Sequence, residues 1–192
     1  MKEIQSVDVQ GAFEMLLEEI EGQISVVNRE ASQGIEKREY HKAQTHITVT
    51  QKLTSIHEKV NELKDEWDEI IARAYGQQKI KETEQGKHNL GRLRRGLRTP
   101  EKAFYAPILK VVDELGGSAT MRDVLSRVGQ LMKTKLKDVD YQHLSSDPEA
   151  IRWRNTAQWA RNSLVKKGFL KANSPHGVWE ITEAGRKAKD KL

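Results

Sequence analysis

Arginine, asparagine and glutamine gather between Ile151 and Gly168 in a pattern suited to the edges of DNA bases. At about 3.6 residues per turn, Trp153, Ala157, Ala160 and Leu164 fall on one narrow stripe of a helix. Asn155, Gln158, Asn162 and Lys166 take the opposite side, with Arg154 and Arg161 on one flank and Arg152 on the other. Arg, Asn and Gln carry the forked donors and acceptors that match guanine and adenine in the major groove. The two alanines on the apolar stripe let such a helix lie close against its neighbours. After it come a short apolar run, a tight turn and a second apolar run: FLKA, NSPHG and VWEI. Lys171, Ser174 and His176 stand in or beside that turn, where phosphate or minor-groove contact is expected.

No catalytic constellation emerges. Glu62-Leu63-Lys64 has the ExK spacing of some nucleases, but it lies on a long helical pattern with no strand carrying an upstream Asp. His41 and His46 are five apart, which does not place them on one helix face, and no carboxylate completes a metal site. Gly-rich phosphate loops and a GxSxG elbow are absent from the sequence. Neither a metal nor a cofactor is expected, and the chain reads as a non-enzyme.

The elements that must position the polar helix begin far upstream. From Val9 to about Gln33, Phe13, Leu17, Ile20, Ile24, Val27 and Ala31 recur at alternating four- and three-residue steps. Gly34 breaks the pattern, and a second helix is expected from Lys37 to Tyr75. Its seam is Val49, Leu53, Ile56, Val60, Leu63, Trp67 and Ile70. At about 1.5 Å per residue the second helix spans roughly 58 Å and the first roughly 37 Å. An antiparallel hairpin then leaves the seam from Val60 onward beyond its partner. Val60, Leu63, Trp67 and Ile70 are therefore the expected dimerisation surface.

Residues 76–98 are polar, punctuated by glycine and basic at their end, a linker whose Arg94, Arg95 and Arg98 are candidate DNA contacts. Thr99-Pro100-Glu101 signals a helix start, and Phe104, Ile108, Val111, Val112 and Leu115 form a core stripe. Gly116-Gly117 ends that helix. Ser118-Ala119-Thr120 is short enough for a first small strand, and Thr120 is placed to cap the helix of Met121, Val124, Leu125, Val128, Leu131 and Met132. A polar loop from Lys133 to Glu149 leads into the central helix, and Thr182-Glu183-Ala184-Gly185 opens a last, basic one.

Composition sets the bounds. The chain has 192 residues, 36% of them hydrophobic and 32% charged, with no cysteine and no apolar run long enough for a membrane span. A disulfide framework is excluded, and a cytoplasmic protein without membrane association is expected. The net charge of +5 hides an asymmetry. Residues 1–75 hold 9 Lys/Arg against 15 Asp/Glu, a balance of −6, whereas residues 76–192 hold 24 against 13, a balance of +11. Only the second part is suited to a polyanion.

The C-terminal half resembles the N-terminal domain of the Mrr family of restriction-system proteins, a winged helix module. PILKVVDELGGSAT, WRNTAQWARNSLVKKGFL and HGVWEITEAG carry the resemblance, over roughly residues 100–192. Mrr proteins follow this module with a nuclease domain of the PD-(D/E)xK type, whereas here an acidic hairpin precedes the module and the sequence given ends at Leu192. The resemblance therefore implies DNA docking without cleavage.

The expected fold is mainly α. An antiparallel coiled-coil hairpin (1–75) serves dimerisation, and a basic linker (76–98) joins it to a winged helix-turn-helix domain with a small β-hairpin wing (99–192). The expected function is double-stranded DNA binding by a homodimer, as a transcriptional regulator or DNA-targeting subunit. Two other readings compete: a non-catalytic accessory of a restriction system, and a protein-docking module whose hairpin or winged helix meets a protein partner.

Overall fold

The structure, a computed structural model, describes residues 6–75, 98–144, 147 and 149–192. The chain divides into two compact units, residues 1–97 with 145–147, and residues 98–144 with 148–192. Most of the expected linker, with Arg94 and Arg95, lies outside the described residues.

Helices α1 (Ser6–Glu36) and α2 (Tyr40–Tyr75) pair antiparallel around a turn in which Arg38 takes a positive φ of 59°. Leu17, Ile24, Ala31 and Ala43 are buried in the seam. Much of the remaining seam is polar. Gln10 Nε2 donates to Asp68 Oδ1 at 3.1 Å, Lys64 Nζ donates to Glu14, His57 Nε2 meets Glu21 Oε1 at 3.1 Å, and Thr50 Oγ1 donates to Asn28 Oδ1 at 2.9 Å. In each pair the two residue numbers have the same sum, so one register runs the length of the hairpin. Buried polar groups that demand a specific partner penalise any shifted register.

This pairing corrects the expected seam. Val49, Ile56, Leu63 and Ile70 are 38–58% exposed, while Leu53, Val60 and Trp67 are half-buried beside them. The length argument also fails, because α1 has 31 residues against 36 in α2 and reaches Lys64 and Asp68. Leu63 and Ile70 are exposed because they face away from α1, not because α1 has ended.

The second unit is a winged helix. A 3₁₀ turn (Glu101–Phe104) leads into α3 (Tyr105–Glu114), followed by β1 (Ser118–Thr120), α4 (Met121–Leu131), a 3₁₀ turn (Asp138–Tyr141), α5 (Arg152–Lys166), β2 (Val178–Glu180) and α6 (Glu183–Ala188). β1 and β2 pair antiparallel, with Ala119 opposite Trp179, and a single bridge from Leu170 to Ile181 is what remains of the expected FLKA strand. Thr120 caps α4 by accepting from the Asp123 N–H at 3.2 Å. The helix start signalled by Thr99-Pro100-Glu101 is the 3₁₀ turn, and the Thr99 side chain does not cap it. The Thr99 N–H and hydroxyl are both held by the buried Asp140 carboxylate, at 2.8 and 2.5 Å.

The core joins Phe104, Ile108, Val112, Val124, Val128, Met132 and Trp179 to the apolar stripe of α5, where Ala157, Ala160 and Leu164 are fully buried and Trp153 nearly so. Gly129 makes room for that indole, since a Cβ there would sit 2.9 Å from Trp153 Cη2. Of the apolar positions of α4, Met121 and Leu131 are 37% and 45% exposed.

The Glu21–His57 pair yields a prediction. Truncating Glu21 to Ala leaves the buried His57 Nε2 without Glu21 and should destabilise the hairpin by about 1–3 kcal/mol. The Glu21→Leu/His57→Leu double variant should recover most of that loss in urea unfolding followed by circular dichroism. A single variant as stable as the unmodified chain would contradict the polar seam.

Candidate nucleic-acid interface

Helix α5 is fastened along its apolar stripe, so its other side faces solvent by geometry. Arg154, Gln158, Asn162 and Lys166 are exposed at successive steps of four residues, and Asn155, Trp159 and Arg161 are half-buried on the flanks. Arg154 places its guanidinium 5.6 Å from the centre of the Trp153 ring, a cation–π contact that steadies a long side chain. The helix ends in a Schellman turn. Gly168 adopts φ 72°, its N–H bonds to Val165 O, and the Phe169 N–H bonds to Leu164 O, each at 2.9 Å. Thr182 then donates to Gly168 O at 2.6 Å while its oxygen accepts from the Gly185 N–H, tying the start of α6 to the end of α5.

The wing is brought over the polar face by main-chain contacts. The Met121 N–H at the start of α4 donates to Gly177 O at 2.7 Å, and the Lys171 N–H donates to Glu180 O at 2.8 Å. Between wing and α5 lies a groove of about 460 Å³ lined by Gln158, Arg161, Asn162, Ser174, His176 and, on its apolar wall, Met121, Pro175 and Val178. Five residues singled out in the sequence therefore share one surface. Met121 was missed, because its part in the groove depends on a wing contact that no local pattern announces.

Arg161 is the most telling of them. Its Nε is buried without a hydrogen-bond partner among the described residues, while Nη1 donates to Asn162 Oδ1 at 3.3 Å. Desolvation lowers its pKa below the ordinary arginine value, yet an arginine stays protonated at neutral pH. A partly desolvated guanidinium with an idle donor, lining a groove, is matched by an anionic or carbonyl acceptor.

Two expected contacts leave the set. Arg152 is 5% exposed and donates through Nη1 to Val139 O at 2.6 Å, holding the loop before α5. Arg98 is 2% exposed, next to the anchored Thr99, and is inside the unit rather than on a linker. Neither guanidinium is positioned to meet a phosphate. Lys171 is exposed beside Glu180, at 3.6 Å, and Ser174 donates to the same carboxylate at 3.0 Å. His176 is exposed at the wing tip. Among the described residues no group of His, Asp or Glu is arranged to hold a metal ion, and no helix is long and apolar enough to cross a membrane.

The unit is thus a winged helix whose exposed helix and wing flank a groove rich in hydrogen-bonding groups. Residues 102–191 match the family model of the Mrr N-terminal domain, in agreement with the motifs in the sequence. No curated protein and no solved structure matches the chain.

The contrast between Arg152 and Arg154 is testable by denaturant unfolding. Arg152→Ala should cost about 1.5–3 kcal/mol, the range for hydrogen bonds to charged groups. Arg154→Ala should cost about 1 kcal/mol or less. Equal, small effects would return Arg152 to the solvent face.

Proposed function

We propose that the C-terminal unit binds double-stranded DNA without cleaving it, and that the acidic hairpin joins two copies, as a regulator or a DNA-targeting subunit does. The observation that carries this reading is the exposed stripe of Arg154, Gln158, Asn162 and Lys166 beside a groove holding the idle Arg161 donor. In this account α5 enters the major groove. Gln158 and Asn162, with Asn155 at the flank, reach base edges, and Arg154, Lys166 and Lys171 meet phosphates. The wing residues Ser174 and His176, with Arg161, hold the backbone strand that passes between the two grooves. The balance of +11 in residues 76–192 supplies attraction that is independent of base sequence. Two linked units raise the effective concentration of the second once the first has bound.

Fluorescence anisotropy with a labelled duplex tests this directly. With about six phosphates engaged, log affinity should fall against log salt with a slope of roughly −5. Absence of binding even at low salt would overturn the reading and favour a protein-docking module.

A further inference from the structure

The exposed row of α2 has an internal order. Val49, Ile56, Leu63 and Ile70 recur every seven residues, all on the side turned from α1, so the row extends for roughly 32 Å at 1.5 Å per residue. A row of four exposed branched apolar residues at one step, flanked by the half-buried Leu53, Val60 and Trp67, marks an interaction surface. The charges beside it are divided by position. Lys52 and Lys59 stand along the first half, Glu62 and Glu66 along the second, and all four are exposed.

We propose that this stripe pairs antiparallel with the same stripe of a second copy of the chain, about a two-fold axis between Ile56 and Leu63. The proposal rests on the hairpin's role as the joining element and adds its face and direction. The row is self-complementary when reversed. Val49 comes opposite the partner's Ile70 and Ile56 opposite the partner's Leu63, as an isologous interface requires. The same reversal sets Lys52 abreast of the partner's Glu66 and, by symmetry, Glu66 abreast of the partner's Lys52, and leaves only Lys59 beside its own copy at the axis. A parallel pair would instead set Lys52 near the partner's Lys52 and Glu66 near the partner's Glu66. Apolar burial holds such a pair together, and the charges at its margin select its direction. The surface is thus broader than the four residues read from the sequence. It includes Val49 and Ile56 and leaves Val60 and Trp67 at its edge. The two Tyr75 ends lie at opposite ends of the pair, about 46 Å apart along the helices.

The absence of cysteine from the chain makes the test clean. Val49→Cys and Ile70→Cys are prepared as separate full-length variants and oxidised alone and as an equimolar mixture. The expected result is a covalent dimer in the mixture and none from either variant alone, since like positions lie far apart. A covalent dimer from each variant alone would show a parallel pair and overturn the proposal. If sedimentation finds dimers but no sample cross-links, another face joins the copies and the proposal falls while the hairpin's joining role stands. If the unmodified protein sediments as a monomer at tens of micromolar, both fall. Ile56→Lys/Leu63→Lys should give monomers with unchanged helicity, because neither side chain faces α1. A dimer that survives this change would also count against the stripe.

Discussion

Ala157 and Ala160, both fully buried, let α5 lie close against the rest of its unit, and most of the candidate surface follows from that contact. With Trp153 and Leu164 they fix the rotation of the helix about its own axis. Once that rotation is set, Arg154, Gln158, Asn162 and Lys166 have nowhere to point except solvent. A larger side chain at either alanine would lift the helix or turn it, and the donor–acceptor stripe would move with it. Gly129 serves the same contact from the opposite side by leaving space for the Trp153 ring. The wing is placed by different means, through main-chain bonds from Met121 to Gly177 and a β2 strand paired with β1. Helix and wing are therefore positioned by different contacts on one shared core, and the groove between them records both.

In the hairpin the buried seam mixes polar pairs with apolar residues, and α2 keeps an apolar row outside it. The side of α2 turned to α1 carries His57 and Lys64, each matched by a glutamate, whereas an unbroken row of branched apolar residues faces outward. Buried ionic pairs contribute little net stability, but they select one register strongly. The polar pairs therefore act on the hairpin's register more than on its stability.

The winged helix was legible because its signals are local and strong. The apolar stripe of α5, the Thr120 cap and the short first strand all appear where periodicity and turn chemistry place them. Arg152 and Arg98 were misread because a charged side chain on a helix flank or beside a linker looks exposed until a loop closes over it. Val139 O, the acceptor that takes Arg152, lies 13 residues away in a stretch with no periodicity. The hairpin was misread for a related reason. Hydrophobic spacing finds the most apolar row, and here the row facing α1 is the more polar one. Glu14, Glu21, His57 and Lys64 carry the same seven-residue step, but only the apolar rows announce themselves in the sequence.

The most direct test of the account is a backbone amide NMR titration of the full chain with a short duplex at low salt. The account predicts the largest shift changes along Arg154, Gln158, Arg161, Asn162 and Lys166 and in the wing from Ser174 to Val178, with α1 and α2 little affected. Changes confined to the hairpin, or none on α5 under conditions where the duplex is bound, would contradict it.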